Sequence, residues 1–329
     1  MPQVIQSMIR DELSSRRIKL ERAVASASED GELTRLLSEV DAALERLQTG
    51  RYGLCETCHD PIETDRLMAD PITRFCLDHL TSSEQKALQE DLDLAARIQK
   101  GLLPASGLRH GGWDVTYHYE PLGPVSGDYC DLLPKEDGRL FFALGDAAGK
   151  GVAASMLMAH LNAMFRTLIE VDLPLEDMLE RASRVFCEST LPTHYATLTC
   201  GWARPSGELV ICSAGHPPSI LLAGRGATEV WAQGLPLGLF CQERFKPVSL
   251  ALEPGDTLLM YSDGLTEARD AAGEEFGRER LLALAAESSA LSPEKLVAAC
   301  VRGARGHQKG APRTDDLTVM ALRWSPSRD

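Results

Sequence analysis

The sequence predicts an α+β protein in which sheets pack between helices, preceded by a helical hairpin and a small cysteine-bearing module. Three observations carry that expectation. Apolar residues recur at helical spacing through residues 4–48, with charges between them. Three of the nine cysteines then crowd into residues 55–76. From residue 113 onward, short alternating or wholly apolar runs follow one another across Pro/Gly turns and stand apart from the helical stretches, as in antiparallel sheets with segregated helices. At 329 residues, 44% hydrophobic and 25% charged, the chain has the composition of a folded globular protein, with room for one large domain or two modest ones.

The hairpin comes first. Ile5, Ile9, Leu13, Leu20 and Val24 form one stripe, SASEDG (26–31) interrupts it, and Leu33, Leu36, Leu37, Val40, Leu44 and Leu47 resume it. Thr49-Gly50 marks the stop, because glycine suits the left-handed position after a helix. So short a break favours an antiparallel pair.

Residues 51–80 hold too few large apolar side chains for a core of their own, so they need a staple. Cys55 and Cys58 make C-x2-C, Cys76 and His79 make C-x2-H, and 17 residues separate the pairs. Two such knuckles bring four soft or borderline ligands around one tetrahedral ion, the donor set zinc prefers. His59 directly follows Cys58 and would strain a knuckle that already supplies its second ligand, so His79 is the expected fourth. Tyr52-Gly53-Leu54-Cys55 and Arg66-Leu67 make this stretch resemble the DksA/TraR-type zinc finger over about residues 30–80. The resemblance implies one structural Zn2+, and it offers RNA polymerase as a partner through acidic residues at a hairpin tip. Glu29, Asp30 and Glu32 stand at that place. The remaining six cysteines are spread singly. With an odd total and no secretory signal, they are expected to be small buried apolar residues and not a disulfide framework.

A third helix follows. Thr81 and Glu84 have capping-box spacing, Leu88, Leu92, Ala95, Ile98 and Leu102 make a heptad-like stripe, and Pro104 ends the run. The stripe suits pairing with another helix or packing on its own domain. Strands are expected at 113–119, 140–144, 195–203, 208–213, 219–222, 256–262 and 317–324, and helices at 151–170, 175–189, 277–288 and 293–305. The domains are therefore read as a hairpin (1–50), a finger (51–80), a linker helix (81–104) and a large domain (105–325).

Aspartates recur at the strand ends: Asp128, Asp146 and Asp263 beside glycine, and the pair Asp315-Asp316 opening the last strand. Each alone reads as a turn residue, but four at comparable places point to a shared site of hard oxygen donors suited to Mg2+ or Mn2+. GDAAGKG (145–151) fails as a phosphate loop, since Leu144 stands where the first glycine is required and Gly151 where Ser or Thr is. Lys150 is expected to face solvent or to set a helix start. His216, in an AGHPP turn, is expected to be structural, with proton donor as the alternative. With 34 basic and 48 acidic residues the formal net charge is −14, which disfavours direct nucleic-acid binding and fits carboxylates gathered around hard cations.

Seven blocks in order carry a second resemblance: LAARIQKGLLP (94–104), SGDYCDL (126–132), GDAAGKGVAASMLMA (145–159), SAGHPPSILL (213–222), GLPLG (234–238), GDTLLMYSDGLTEARD (255–270) and TDDLTVMALR (314–323). Residues 89–324 resemble the SpoIIE/RsbU branch of metal-dependent protein serine/threonine phosphatases (protein phosphatase 2C-like). That implies a β-sandwich flanked by helices and two Mn2+ or Mg2+ ions. Asp128, Asp146 (bridging), Asp263 and Asp315 would be ligands, Ala147 would lend its carbonyl, and Asp316 would compete with Asp315. Ser126 replaces a usual glycine and would tighten the loop. The implied substrate is a phosphorylated regulatory protein of the anti-anti-sigma type, and the implied control comes from the N-terminal module. A homodimer through the N-terminal helices is a further expectation. The opening MPQVIQSMIRDELSSRR lacks the features of a secretory signal, and no apolar run reaches the roughly 18–20 residues of a membrane span, so a cytoplasmic location without membrane contact is expected.

Overall fold

The periodic N-terminal stretch forms α1 (Gln3–Ser26) and α2 (Gly31–Gln48). They pair through Ile9 and Leu13 on one and Val40, Ala43 and Leu47 on the other, with Arg17 2.8 Å from Asp41. Gly50, at φ +70°, makes the left-handed exit. The computed structural model describes residues 3–26, 31–80, 82–191, 193–224 and 226–326. Glu29, Asp30 and Thr81 lie outside the described residues, as do the side chains of Ile5 and Glu32.

The chain divides into two compact units, Met1–Glu90 and Asp91–Asp329, and the division falls inside α4 (Ser82–Leu102). In the first unit the finger, with the short α3 (Thr64–Ala69), does not rest on its cysteines alone. Tyr52, Cys55, Ile62, Leu67 and Cys76 join the hairpin's apolar cluster. Tyr52 Oη donates to the Pro71 carbonyl at 2.7 Å, and Arg66 donates to that of Phe75 at 2.8 Å. The apolar surface that 51–80 lacks is thus supplied by α1 and α2.

The second unit is a sandwich of two antiparallel sheets. One holds, in spatial order, β1 (Leu108–His110), β2 (Trp113–Glu120), β11 (Leu317–Trp324), β10 (Thr257–Tyr261), β7 (Ser219–Ala223) and β8 (Gly226–Val230). The other holds β3 (Asp128–Pro134), β4 (Leu140–Ala147), β5 (Ala196–Ala203), β6 (Glu208–Ala214) and β9 (Val248–Ala251). Val115, Leu132, Phe142, Ile211, Leu258 and Met320 interdigitate between the sheets. α5 (Gly151–Leu168) and α6 (Leu175–Ser189) cover the outer face of the second sheet through Met158, Leu161, Phe165, Leu179 and Phe186. α8 (Gly277–Glu287) and α9 (Pro293–Gln308) cover the first through Leu281, Leu296 and Cys300. The β-sandwich flanked by helices is therefore present. Gly151–Val171 is long and apolar enough to pass for a membrane span by composition, yet its apolar face is committed to this core.

Four strands escape the sequence pattern. β1, β8 and β9 are short edge strands with much of their surface exposed, so no alternation marks them. β3 is nearly all buried but reads as polar, because Asp128 and Asp131 sit in it. Asp131 is fully buried and held by Arg166 at 2.6 and 2.9 Å.

One cysteine expectation needs correction. Cys130, Cys200, Cys212 and Cys300 are buried thiols, but Cys187 and Cys241 form a disulfide with Cα atoms 5.6 Å apart. An odd total argues against a full framework and says nothing about one pair that the fold brings together.

Candidate metal centres

Asp128 opens β3 and Asp146 lies near the end of β4, and antiparallel pairing sets their Cα positions directly opposite. Asp128 is buried, and one of its oxygens, Oδ2, accepts from Ser262 Oγ at 2.9 Å and from Thr318 Oγ1 at 2.5 Å. Ser262 Oγ also accepts the Thr318 amide at 2.9 Å, so β11 and the residue that follows β10 together fix this carboxylate. Burial, with Asp316 and Asp263 nearby, pushes the Asp128 carboxyl up to about 7 against the pull of those two hydroxyls. Burial and then the charges of Asp128, Asp263, Asp315 and Asp316 push Asp146 up to about 9. Asp263, the first residue of α7 (Asp263–Thr266), is raised by burial and by Asp315. Asp128, Asp146 and Asp263 therefore resist ionisation, through burial first and then through neighbouring carboxylates, and a compensating cation would relieve them.

The glycines explain how the backbone comes so close. A Cβ on Gly127 would lie 2.9 Å from the Ala147 carbonyl oxygen and 3.1 Å from Asp146 Oδ1. One on Gly264 would collide with the Asp316 carbonyl at 1.9 Å. Both positions require a residue without a side chain, and both adjoin a candidate ligand. Ser126 Oγ accepts the Asp128 amide at 3.0 Å, which is the tightening its hydroxyl was expected to give.

Asp315 and Asp316 separate by partner. Asp316 uses both oxygens on backbone amides, from Leu122 at 2.6 Å and Gly127 at 2.9 Å, and so staples the loop before Asp128. Asp315 faces Lys150, whose ammonium sits 3.0 Å from Oδ2 and 2.5 Å from the Thr314 carbonyl. Lys150 occupies the N-cap position of α5 but its side chain makes no capping hydrogen bond; it is mostly exposed and turned to Asp315. His216 is buried and burial lowers it to about 3, which makes it neutral and a poor acid near pH 7. Its Nδ1 lies 2.9 Å from Thr197 Oγ1, and Thr197 stands opposite Asp146 in the β4–β5 register. The donor set fits hard divalent cations: carboxylates, one backbone carbonyl and no thiol.

Sequence reasoning passed over Ser262, Thr318 and Gln99. Gln99 in α4 is buried, donates Nε2 to the Ser126 carbonyl at 2.7 Å and accepts the Ser126 amide at 2.9 Å. No sequence signal marks it, because its partner Ser126 is 27 residues away.

In the first unit Cys55, Cys58, Cys76 and His79 bring one ligand atom each within 4.8 Å of the others. Cys58 Sγ lies 3.8 Å from Cys76 Sγ, and a tetrahedron with Zn–S arms of about 2.3 Å has edges of about 3.8 Å. His79 presents Nδ1 at 3.2 Å from Cys76 Sγ. Although burial opposes it, hydrogen bonds from the Cys58, Cys76 and Thr57 backbone hold the Cys55 thiol down at about 6, favouring the thiolate a metal needs. His59 is not part of that group and holds a left-handed backbone (φ +62°).

Residues 136–325, more than half of the chain, match the family model for Stage II sporulation protein E (SpoIIE). The chain belongs to the SpoIIE family. The second unit of this SpoIIE-family chain is accordingly a PP2C-like phosphatase domain of the RsbU/SpoIIE type. Residues 50–78 match the prokaryotic dksA/traR C4-type zinc finger, with His79 one residue beyond the match in place of a fourth cysteine. Protein IcfG of Synechocystis is 28% identical over 262 residues, 70% of this chain and 41% of that protein. Phosphoserine phosphatase RsbU of Bacillus subtilis is 26% identical over 192 residues, 57% of each. The crystal structure of the RsbU and RsbW domains of a Mycobacterium tuberculosis protein aligns with a TM-score of 0.57 at 26% identity, over 67% of this chain and 62% of that one. The SpoIIE-family chain thus spans about half the length of the curated relatives it matches.

Proposed function

We propose that the chain is a metal-dependent protein serine/threonine phosphatase that hydrolyses phosphoserine or phosphothreonine on a regulatory protein. The observation that carries this reading is the placement of Asp128 directly opposite Asp146 across β3 and β4, with Asp263 and Asp315, far off in sequence, close enough for their charges to help raise the proton affinity of Asp146. We assign these four as ligands of two Mn2+ or Mg2+ ions, with Ala147 lending its carbonyl and Asp316 holding the loop that presents Asp128. Such ions, when bound, supply positive charge for phosphoryl oxygens and acidify a water to an attacking hydroxide. The chain's own part is positioning. Ser262 and Thr318 fix one oxygen of Asp128 and leave the other free. Gly127 and Gly264 admit the backbone close to the ligands. Lys150 offsets the charge of Asp315 at the exposed edge.

An anti-anti-sigma-type substrate in a partner-switching pathway is supported by the similarity to RsbU. Control by the zinc-finger module, and dimerisation through the N-terminal helices, are supported by the exposure of Leu88, Leu94 and Ile98 along α4. A cytoplasmic setting fits such a substrate. The test is Mn2+-dependent release of phosphate from a phosphoserine regulator, expected to fall by orders of magnitude in Asp146→Asn. Full activity in that variant would overturn the reading. The match to a DksA/TraR-type finger supports a second reading, a binding protein acting on RNA polymerase. Co-purification of Asp146→Asn with polymerase, joined to wild-type phosphatase inactivity, would favour it.

A further inference from the structure

We propose that Cys187 and Cys241 are a reversible thiol–disulfide switch that fastens and frees the tip of the 231–247 connection. The bond joins α6 to this long segment, which runs between β8 and β9 without a helix or strand of its own. Its middle is firmly placed. Leu237 exchanges two backbone hydrogen bonds with Ala196, at 2.8 and 3.0 Å, and Phe245 is buried in the core. Between those anchors the tip is exposed, with Leu239 at 43% and Phe240 at 55%. The tip is tied to α6 by the disulfide and by donation from Ser183 Oγ to the Phe240 carbonyl at 3.4 Å. A bond that closes over an exposed segment with few other ties governs that segment's freedom.

The chemistry singles out this pair. Cys130, Cys200, Cys212 and Cys300 are buried, and burial pushes their thiols up, so they present little thiolate. Cys200 and Cys212 even stand opposite each other across β5 and β6 and remain thiols. Cys241 is exposed and Cys187 half-buried, so one can meet a reagent and the other can resolve it. With oxidised glutathione as the oxidant, the Cys241 thiolate attacks one glutathione sulfur and expels a glutathione thiolate. The Cys187 thiolate then attacks the Cys241 sulfur and expels the second. The two protein thiols lose two protons and two electrons, and one oxidised glutathione becomes two reduced molecules. In a reducing compartment disulfides of this kind are transient. The switch adjoins the proposed catalytic strand, because Ala196, the partner of Leu237, stands opposite Ala147 in the β4–β5 register.

The test uses the full zinc-loaded chain equilibrated in glutathione buffers from fully reduced to fully oxidised, then alkylated and mapped by peptide mass spectrometry. Trypsin cleavage after the exposed Arg244 reports on the tip. The expected result is a linked Cys187–Cys241 peptide that grows with the oxidised share, and cleavage several-fold faster in reduced buffer. Cys241→Ser should cleave at the reduced rate in both buffers. Alkylation of both cysteines in every buffer would overturn the proposal. So would a bond that survives fully reduced glutathione, or a cleavage rate indifferent to the bond.

Discussion

His216 shows how a single buried side chain writes itself into the pH dependence of stability. Its Nε2 has no hydrogen-bond partner among the described residues, and burial lowers its proton affinity from the ordinary range near 6.5 to about 3. As pH falls below the ordinary histidine range, the unfolded chain takes up this proton while the folded chain refuses it. Stability from the site is therefore present near neutrality and is lost progressively down to about pH 3. Burial and mutual repulsion act in the opposite sense on Asp128 and Asp146, whose folded forms hold protons to higher pH than the unfolded chain does. The histidine contribution is isolated by comparison. In urea titrations between pH 7 and 4, wild type should lose more stability than His216→Asn, and parallel curves would show that the imidazole is not the group that titrates.

At the scale of elements, α4 is the one whose two ends do different things. Its middle exposes Leu94 and Ile98, while Gln99, one residue further on, turns inward and grips Ser126 by both amide and carbonyl. Ser126 in turn orients the Asp128 amide, so the helix reaches a proposed ligand through two hydrogen-bonded steps. Gln99→Ala leaves a buried donor and a buried acceptor without partners, and such groups cost about 1–3 kcal/mol each when unpaired. Part of that strain should appear as a displaced Asp128. We expect Mn2+ affinity to fall about tenfold, equivalent to ~1.4 kcal/mol, in titration calorimetry. Gln99→Glu, which keeps the acceptor for the Ser126 amide, should fall between. Unchanged Mn2+ affinity in Gln99→Ala would sever α4 from the metal site.

Over the whole molecule, what could be read in advance follows from where burial is two-sided and where polarity is paid back by a distant partner. The central strands and the covering helices carry apolar patterns, and the aspartates at the strand ends, three of them beside glycine, announce themselves by chemistry. Ser262, Thr318 and Gln99 do not, because a hydroxyl or amide becomes informative only once the fold brings Asp128 or Ser126 to it. Cys187 and Cys241 are hidden for the same reason, lying 54 residues apart. Arg166, which neutralises Asp131 inside β3, is 35 residues away from it. The two units also differ in what holds them. The second has three apolar clusters made of its own strands and helices. Among the described residues the first has one, and Cys55 and Cys76 belong to it. Removing Zn2+ would leave unpaired thiols in that small core, and a module of this size has little apolar burial in reserve. Calorimetry of the full chain with a zinc-selective chelator in excess Mg2+ should therefore abolish or lower one transition, that of Met1–Glu90, and leave the other in place. A single transition that shifts as a whole would instead mean that the finger's stability is coupled to that of the phosphatase domain.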